Sequence, residues 1–182
     1  MSHNYGRKIF HLILGVILGL LIIYVRKRYI IAVLTGLISA GVLIRLFLLK
    51  GFKFGVVEHF LRWFGRPNEI GMGAMFFFIG ALISILFFQR EYAGVGVLVL
   101  GISDGLSAIF GMGSVHKLYN NKSFEGTIAF FISSFIIILF FDTLFQAVAT
   151  SLLLSLIELF SPVDDNIIIP PSCALIISLL RW

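Results

Sequence analysis

Asp104-Gly105-Leu106-Ser107-Ala108-Ile109-Phe110-Gly111-Met112-Gly113, continued by His116-Lys117-Leu118-Tyr119-Asn120-Asn121-Lys122-Ser123-Phe124-Glu125-Gly126, is a polar island in an apolar chain. The run Ala93–Phe110 leads into it and Thr127–Phe141 follows it. Two long apolar stretches joined by carboxylates, lysines and glycines read as two membrane-crossing helices with a site at their shared mouth. Charged groups near lipid cost on the order of several kcal/mol each unless partners or water satisfy them, so they are read as functional. Carboxylates, lysines, a serine and close-packing glycines together suit a metal ion and a chain of phosphates at a membrane surface.

Composition extends that reading to the whole chain. Of 182 residues 59% are hydrophobic and only 13% charged, with a mean hydropathy of +1.06. A water-soluble domain cannot hide that much apolar surface, so the expectation is an all-α, polytopic membrane helix bundle forming one domain over residues 1–182. No cleavage-site pattern follows the apolar run after Arg7 and Lys8, which argues against a signal peptide. The lone Cys173 excludes an intramolecular disulfide and a cysteine-rich metal site. The net charge of +5 comes from basic residues scattered between apolar runs, a pattern expected of membrane orientation and not of nucleic acid binding.

Apolar segments run Ile9–Val25, Ile30–Leu49, Gly71–Phe88, Ala93–Phe110, Thr127–Phe141, Leu144–Phe160 and Ile167–Leu180, and most approach the ~20 residues a spanning helix needs. The fifth and sixth would be too long as one helix, so a break is expected near Asp142-Thr143, although neither glycine nor proline marks it. Pro170-Pro171 is expected to kink the last segment or delay its start. Between the second and third segments, Lys50–Ile70 mixes aromatic and charged residues, as an interfacial amphipathic helix or a simple re-entry loop would.

Seven alternating crossings put Arg7, Lys8, Lys50, Lys53, Arg62, Arg66, Lys117 and Lys122 on one face, against Arg26, Lys27, Arg28, Arg90 and Arg181 on the other. The richer face is expected to be cytoplasmic. The same face receives Arg7-Lys8-x-x-His11, the Arg66-Pro67-Asn68-Glu69 turn, the Asp104–Gly126 island and the Asp164-Asp165-Asn166 turn. Four clusters distant in sequence are thus expected to converge on one site.

Each cluster has a chemical reading and a plainer one. Asp104 reads as a ligand for a divalent cation such as Mg²⁺, or as a helix cap. Ser123 reads as an N-cap, and the helix start it makes, with Lys122 beside it, is an anion site or an ordinary cap. Lys8 and His11 lie one turn apart and form either part of the site or a basic flank. Glu158, inside an apolar run with Asp164, Asp165 and Asn166 just beyond, needs a partner to be tolerated. Neither a Gly-x-x-x-x-Gly-Lys-Ser/Thr loop nor a Gly-x-Gly-x-x-Gly fingerprint is present, which excludes the soluble nucleotide folds built on them.

On these residues the chain resembles the family of dolichol/polyprenol kinases, phytol kinases and CTP-dependent diacylglycerol kinases. The matching pieces are Arg7-Lys8-Ile9-Phe10-His11, Arg66-Pro67-Asn68-Glu69-Ile70-Gly71, Asp104-Gly105-x-x-Ala108-x-x-x-x-Gly113, Lys122-Ser123-Phe124-Glu125-Gly126-Thr127, and Glu158 with Asp164-Asp165-Asn166-Ile167-Ile168-Ile169-Pro170. Gly111–His116 departs from the family by lacking the basic residues often found in that loop. The resemblance implies an integral membrane enzyme, active on its cytoplasmic face. Its reaction would be phosphoryl transfer from CTP to the hydroxyl of an isoprenoid alcohol or diacylglycerol, with Mg²⁺ as cofactor. The lipid alcohol, CTP and membrane lipids are its expected partners, and nucleic acid is not. Expected roles are Asp104 with Asp165 as metal ligands, and Lys122, Ser123 and Gly126 with Lys117 at phosphate. Arg7, Lys8 or Arg66 would offset further charge, and Glu125 or His11 would orient or deprotonate the hydroxyl. Glu69, Glu158, Asp164 and Asn166 are further polar candidates. Two other classes remain open at this point: a CDP-lipid synthase acting on a lipid phosphate, whose family shares the Lys-Ser-x-Glu-Gly and Asp-Gly pieces, and a transporter or scaffold.

Overall fold

The structure is a computed structural model and describes residues 2–52, 55, 71–119 and 122–181, with the backbone alone for residues 2–5 and Arg7. The described residues are helical throughout their apolar segments and contain no strand, only an isolated bridge between Lys117 and Ser123. The helices are α1 (Ser2–Tyr24), α2 (Lys27–Leu49), α3 (Met72–Phe87), α4 (Arg90–Phe110), α5 (Phe124–Leu139), α6 (Leu144–Phe160) and α7 (Asp165–Leu180). By length and apolarity α2 and α4 are able to cross a membrane. The expected interfacial segment lies almost wholly outside the described residues.

Helix α4 is the centre of the bundle, packed against α1, α3, α5 and α7. Its residues Val95, Val97, Val99 and Leu100 are fully covered, as befits a helix apolar on every side. Around it the core takes Ile22 from α1, Leu34 from α2, Phe77, Ala81 and Ile85 from α3, Phe130 from α5, Leu154 from α6, and Ile169, Cys173 and Ile177 from α7. The exterior is apolar as well as the core. Ile13, Ile17, Leu37, Leu43, Ile132, Leu152 and Leu153 face outward, while Ser84, Ser133, Ser134, Ser151 and Ser155 are buried. Several of these hydroxyls donate back to their own helix, Ser84 to the Gly80 carbonyl at 2.7 Å and Ser155 to that of Ser151 at 2.7 Å, which satisfies them without a partner helix.

Helices α1 and α4 cross at Gly15 and Gly101, where a Cβ on either residue would overlap the other's backbone. Only glycine permits that approach, and it draws the middle of α1 against the middle of α4. Gly101→Ala is therefore expected to cost about 1–3 kcal/mol through overpacking, read as a lower Tm of the purified protein. An unchanged Tm would mean that the two helices are further apart.

Just there α4 widens into a π-helical turn over Leu100–Asp104, a feature frequent at functional sites. At the far end of the bundle the break between α5 and α6 is made by hydrogen bonds. The Thr143 and Gln146 side chains form a reciprocal capping box. The buried Asp142 carboxylate accepts from Arg181 Nε at 2.7 Å, and the same guanidinium donates to Tyr92 Oη at 3.0 Å and the Phe141 carbonyl at 3.0 Å. One arginine after α7 thus fastens the outer ends of α4 and α5. The expected delay at Pro170-Pro171 is corrected: α7 starts at Asp165, ahead of both prolines, because the Asp164 side chain caps it by accepting from Asn166 N–H at 3.0 Å.

Candidate active site

The ends of α4, α6 and α7 and the start of α5 meet at one end of the bundle. Asp104 closes the π turn of α4, Glu158 lies in the last turn of α6, and Asp165 is the first residue of α7. One carboxylate oxygen from each lies within 4.8 Å of the others. Two ionised carboxylates at that separation repel by roughly 3–4 kcal/mol at an effective dielectric of about 20, so the cluster requires cations.

Lys122 is one of them. Its ammonium lies 2.8 Å from Glu158 Oε1 and 2.8 Å from Asp165 Oδ2, and it donates a further hydrogen bond to the Glu158 carbonyl. The three ammonium protons are thereby matched by three acceptors. Burial alone would lower the lysine pKa; the Asp165 and Glu158 carboxylates more than offset it and raise the pKa above the ordinary value. Lys122 is accordingly charged at neutral pH. Glu158 is the most enclosed of the group, its side chain 3% exposed. Its Oε1 also lies 3.5 Å from Ser107 Oγ, a long contact, and its Oε2 is buried without a hydrogen-bond partner among the described residues. Asp104, 31% exposed, has His11 Nε2 at 4.0 Å, which brings the start of α1 into the same site.

Local sequence explains how Lys122 is presented. Ser123 is extended and its hydroxyl accepts from Gly126 N–H at 3.1 Å, starting α5 immediately after the lysine. Leu118 N–H donates to the Lys122 carbonyl at 2.7 Å and Phe124 N–H to that of His116 at 3.0 Å, folding the loop back on itself. Gly126 and Gly111 let this turn lie on α4: a Cβ on Gly126 would stand 2.8 Å from the Ser107 carbonyl and 3.0 Å from Ser123 Oγ. Ser107, one turn beyond Asp104, is therefore the buried junction between the loop and the carboxylates. Sequence reading passed over it, although Asp104-x-x-Ser107 spacing puts both residues on one helical face.

Among the other expected site residues, Glu125 faces the loop. Its carboxylate accepts from Ser114 Oγ and pairs with His116 Nδ1 at 2.8 Å. Gly126 spends its N–H on the Ser123 cap, and Lys117 is exposed on the loop. Asp164 caps α7, and Asn166 Nδ2 donates to the Gly73 carbonyl at 3.3 Å, tying α7 to α3. Lys8 is half-buried on α1, and its carbonyl lies beside Gly105. Arg66, Glu69 and the Arg7 side chain lie outside the described residues.

Comparison with known proteins adds two relatives. The chain is 32% identical over 178 residues to the uncharacterized protein MJ1137 of Methanocaldococcus jannaschii, covering 94% of this chain and 91% of that protein. It is 35% identical over 79 residues to a rice protein, the probable phytol kinase 1, chloroplastic, of Oryza sativa subsp. japonica, covering 40% of this chain and 25% of that one. No family model matches the chain. No solved structure matches it. Similarity along nearly the full length of both proteins places the chain in the same family as the archaeal protein MJ1137.

Proposed function

We propose that this chain is a membrane-embedded, metal-dependent lipid kinase that transfers the γ-phosphate of CTP to the hydroxyl of an isoprenoid alcohol or diacylglycerol. The observation that carries the reading is the cluster of Asp104, Glu158 and Asp165 around Lys122 at one end of an outwardly apolar helix bundle. The partial likeness to a probable phytol kinase points to the same chemistry. CTP as the donor follows from the family resemblance.

The seven described helices form one membrane domain in this reading, with the carboxylate end on the cytoplasmic side. The apolar exterior and the buried serines support a membrane setting, since lipid-facing surfaces are apolar and small hydroxyl residues pack between membrane helices. The cytoplasmic side follows from the positive-inside count. A lipid alcohol then arrives through the bilayer and the nucleotide from water, and both meet at the mouth of α4.

Phosphoryl transfer needs positioning and charge neutralisation more than covalent help from the protein. Asp104 and Asp165 would hold Mg²⁺, which would supply charge neutralisation at the phosphates. Lys122 binds phosphate oxygens, with Lys117 and the basic residues Arg7, Lys8 and Arg66 offsetting further charge. The lipid hydroxyl oxygen forms a bond to the γ-phosphorus, the bond to the β-bridging oxygen breaks, and CDP leaves. The hydroxyl proton goes to His11, which stands beside Asp104, whereas the Glu125 carboxylate is engaged by Ser114 and His116. Glu125 in this account holds the loop that presents Lys122.

Purified protein supplied with CTP, Mg²⁺ and a panel of lipid alcohols is expected to release CDP only when an acceptor alcohol is present. Acceptor-independent release, or no release with any alcohol, would refute a kinase acting on lipid hydroxyls.

A further inference from the structure

We propose that Glu158 joins Asp165 and Asp104 in seating a divalent cation for which the Lys122 ammonium competes, so that cation entry releases Lys122 toward the nucleotide phosphates. The proposal deepens the kinase reading and rests on it only for the identity of the anion that receives the lysine. Four observations carry it. The three carboxylate oxygens lie within 4.8 Å of one another, close to the span of ligands around one ion bound at about 2.1–2.5 Å. Glu158 Oε2 is buried with no hydrogen-bond partner among the described residues, an acceptor in need of a cation. Lys122 lies 2.8 Å from Glu158 Oε1 and 2.8 Å from Asp165 Oδ2, so its ammonium already bridges two of the three carboxylates an ion would share. Finally, three carboxylates against one ammonium leave these four groups a formal charge of −2, which a divalent cation neutralises.

A divalent ion shared by the same carboxylates would stand roughly 3–5 Å from the ammonium if the lysine stayed, and two cations so close repel. The lysine is the one that moves. It sits on a flexible four-carbon stem at the turn into α5, while the carboxylates are fixed on the ends of three packed helices. Exchange of this kind makes the site ordered. Before the metal arrives the lysine holds the buried carboxylates in place; afterwards its charge is available to phosphate. Metal and nucleotide then favour each other's binding, because each draws the lysine away from where the other would be opposed.

The test is Mn²⁺ titration of the full chain in detergent without nucleotide, following free Mn²⁺ by electron paramagnetic resonance. Lys122→Met removes the competitor and is expected to bind Mn²⁺ about 5- to 150-fold more tightly than wild type. Lys122→Arg keeps the charge and grips the carboxylates with a planar fork, so it is expected to bind more weakly than wild type. Glu158→Gln is expected to weaken binding, whereas a Glu158 outside the seat would leave it unchanged. Should Lys122→Met fold only with metal, its Mn²⁺-induced rise in Tm would exceed that of wild type, which is the same outcome. Binding by Lys122→Met no tighter than wild type, or by Lys122→Arg no weaker, overturns the exchange. Because no nucleotide or lipid is present, these outcomes stand apart from the kinase reading, which fails on the absence of acceptor-dependent CDP release.

Discussion

Asp104→Asn is expected to lower turnover by about a thousand-fold or more while the purified protein keeps a Tm close to that of wild type. The substitution leaves side-chain volume almost unchanged and removes one negative charge from three crowded carboxylates, so the fold does not depend on it. In the proposed reading it removes a ligand for the ion that would neutralise the transferring phosphates. Such an ion supplies several kcal/mol of transition-state stabilisation, and each 1.36 kcal/mol is about tenfold in rate. Raising Mg²⁺ should recover part of the loss, since the defect is one of metal affinity. Turnover within about tenfold of wild type at limiting Mg²⁺ would show that Asp104 does not hold the metal.

Lys122→Ala is expected to fail in two measurable ways. If the lysine contacts the transferring phosphates, its loss costs about 2.7–4 kcal/mol, or roughly a hundred- to thousand-fold in rate. It also leaves the Glu158 and Asp165 carboxylates without the ammonium that stands 2.8 Å from each. Removing one partner of an enclosed ion pair costs up to about 3–5 kcal/mol of stability, the upper end applying to the 3%-exposed Glu158. Divalent metal should restore the Tm of this variant without restoring its rate, because in the proposed exchange the ion would replace the lysine at the carboxylates and not at the phosphates. Lys122→Arg should keep the Tm and recover only part of the rate. A residue that merely flanks a helix would change stability by at most about 1 kcal/mol and leave turnover alone.

Much of this site is legible in the sequence because charges stand out against an apolar background. Asp104, Lys122, Glu158 and Asp165 each interrupt a hydrophobic context, and counting alternating helices brings their segments to one end. The pairing among them is another matter. Lys122 meets Glu158 and Asp165 across 36 and 43 residues, and which oxygen faces which ammonium depends on the rotation of α6 and α7 about their axes. Spacing along the chain carries no such information, so the lysine reads as a phosphate ligand and its carboxylate partners go unseen.

Glu125 differs for a similar reason. It falls within the Lys-Ser-x-Glu-Gly run that marks the site, yet the folded loop brings Ser114 and His116 to its carboxylate. The α5–α6 break was legible in place but not in cause. Glycine and proline are the usual markers of a helix end, and here the Thr143-x-x-Gln146 capping box and the Arg181 clamp on Asp142 end and restart the helix instead. Pro170-Pro171 misled for the opposite reason. The Asp164 cap starts the helix five residues earlier than the prolines alone would suggest, and Gly96 on α4 makes room for Pro170 against it.

The central claim is that the terminal phosphate of a nucleotide moves to a lipid hydroxyl at the Asp104–Lys122 cluster. It is tested most directly by following CTP labelled separately at its α- and γ-phosphates in a reaction with purified protein, Mg²⁺ and the preferred alcohol. The γ-label is expected in the organic phase as a lipid monophosphate, with the α-label remaining in water as CDP, and Asp104→Asn should abolish the transfer. Appearance of the α-label in the lipid, with release of pyrophosphate, or retention of both labels in the aqueous phase, would contradict the account.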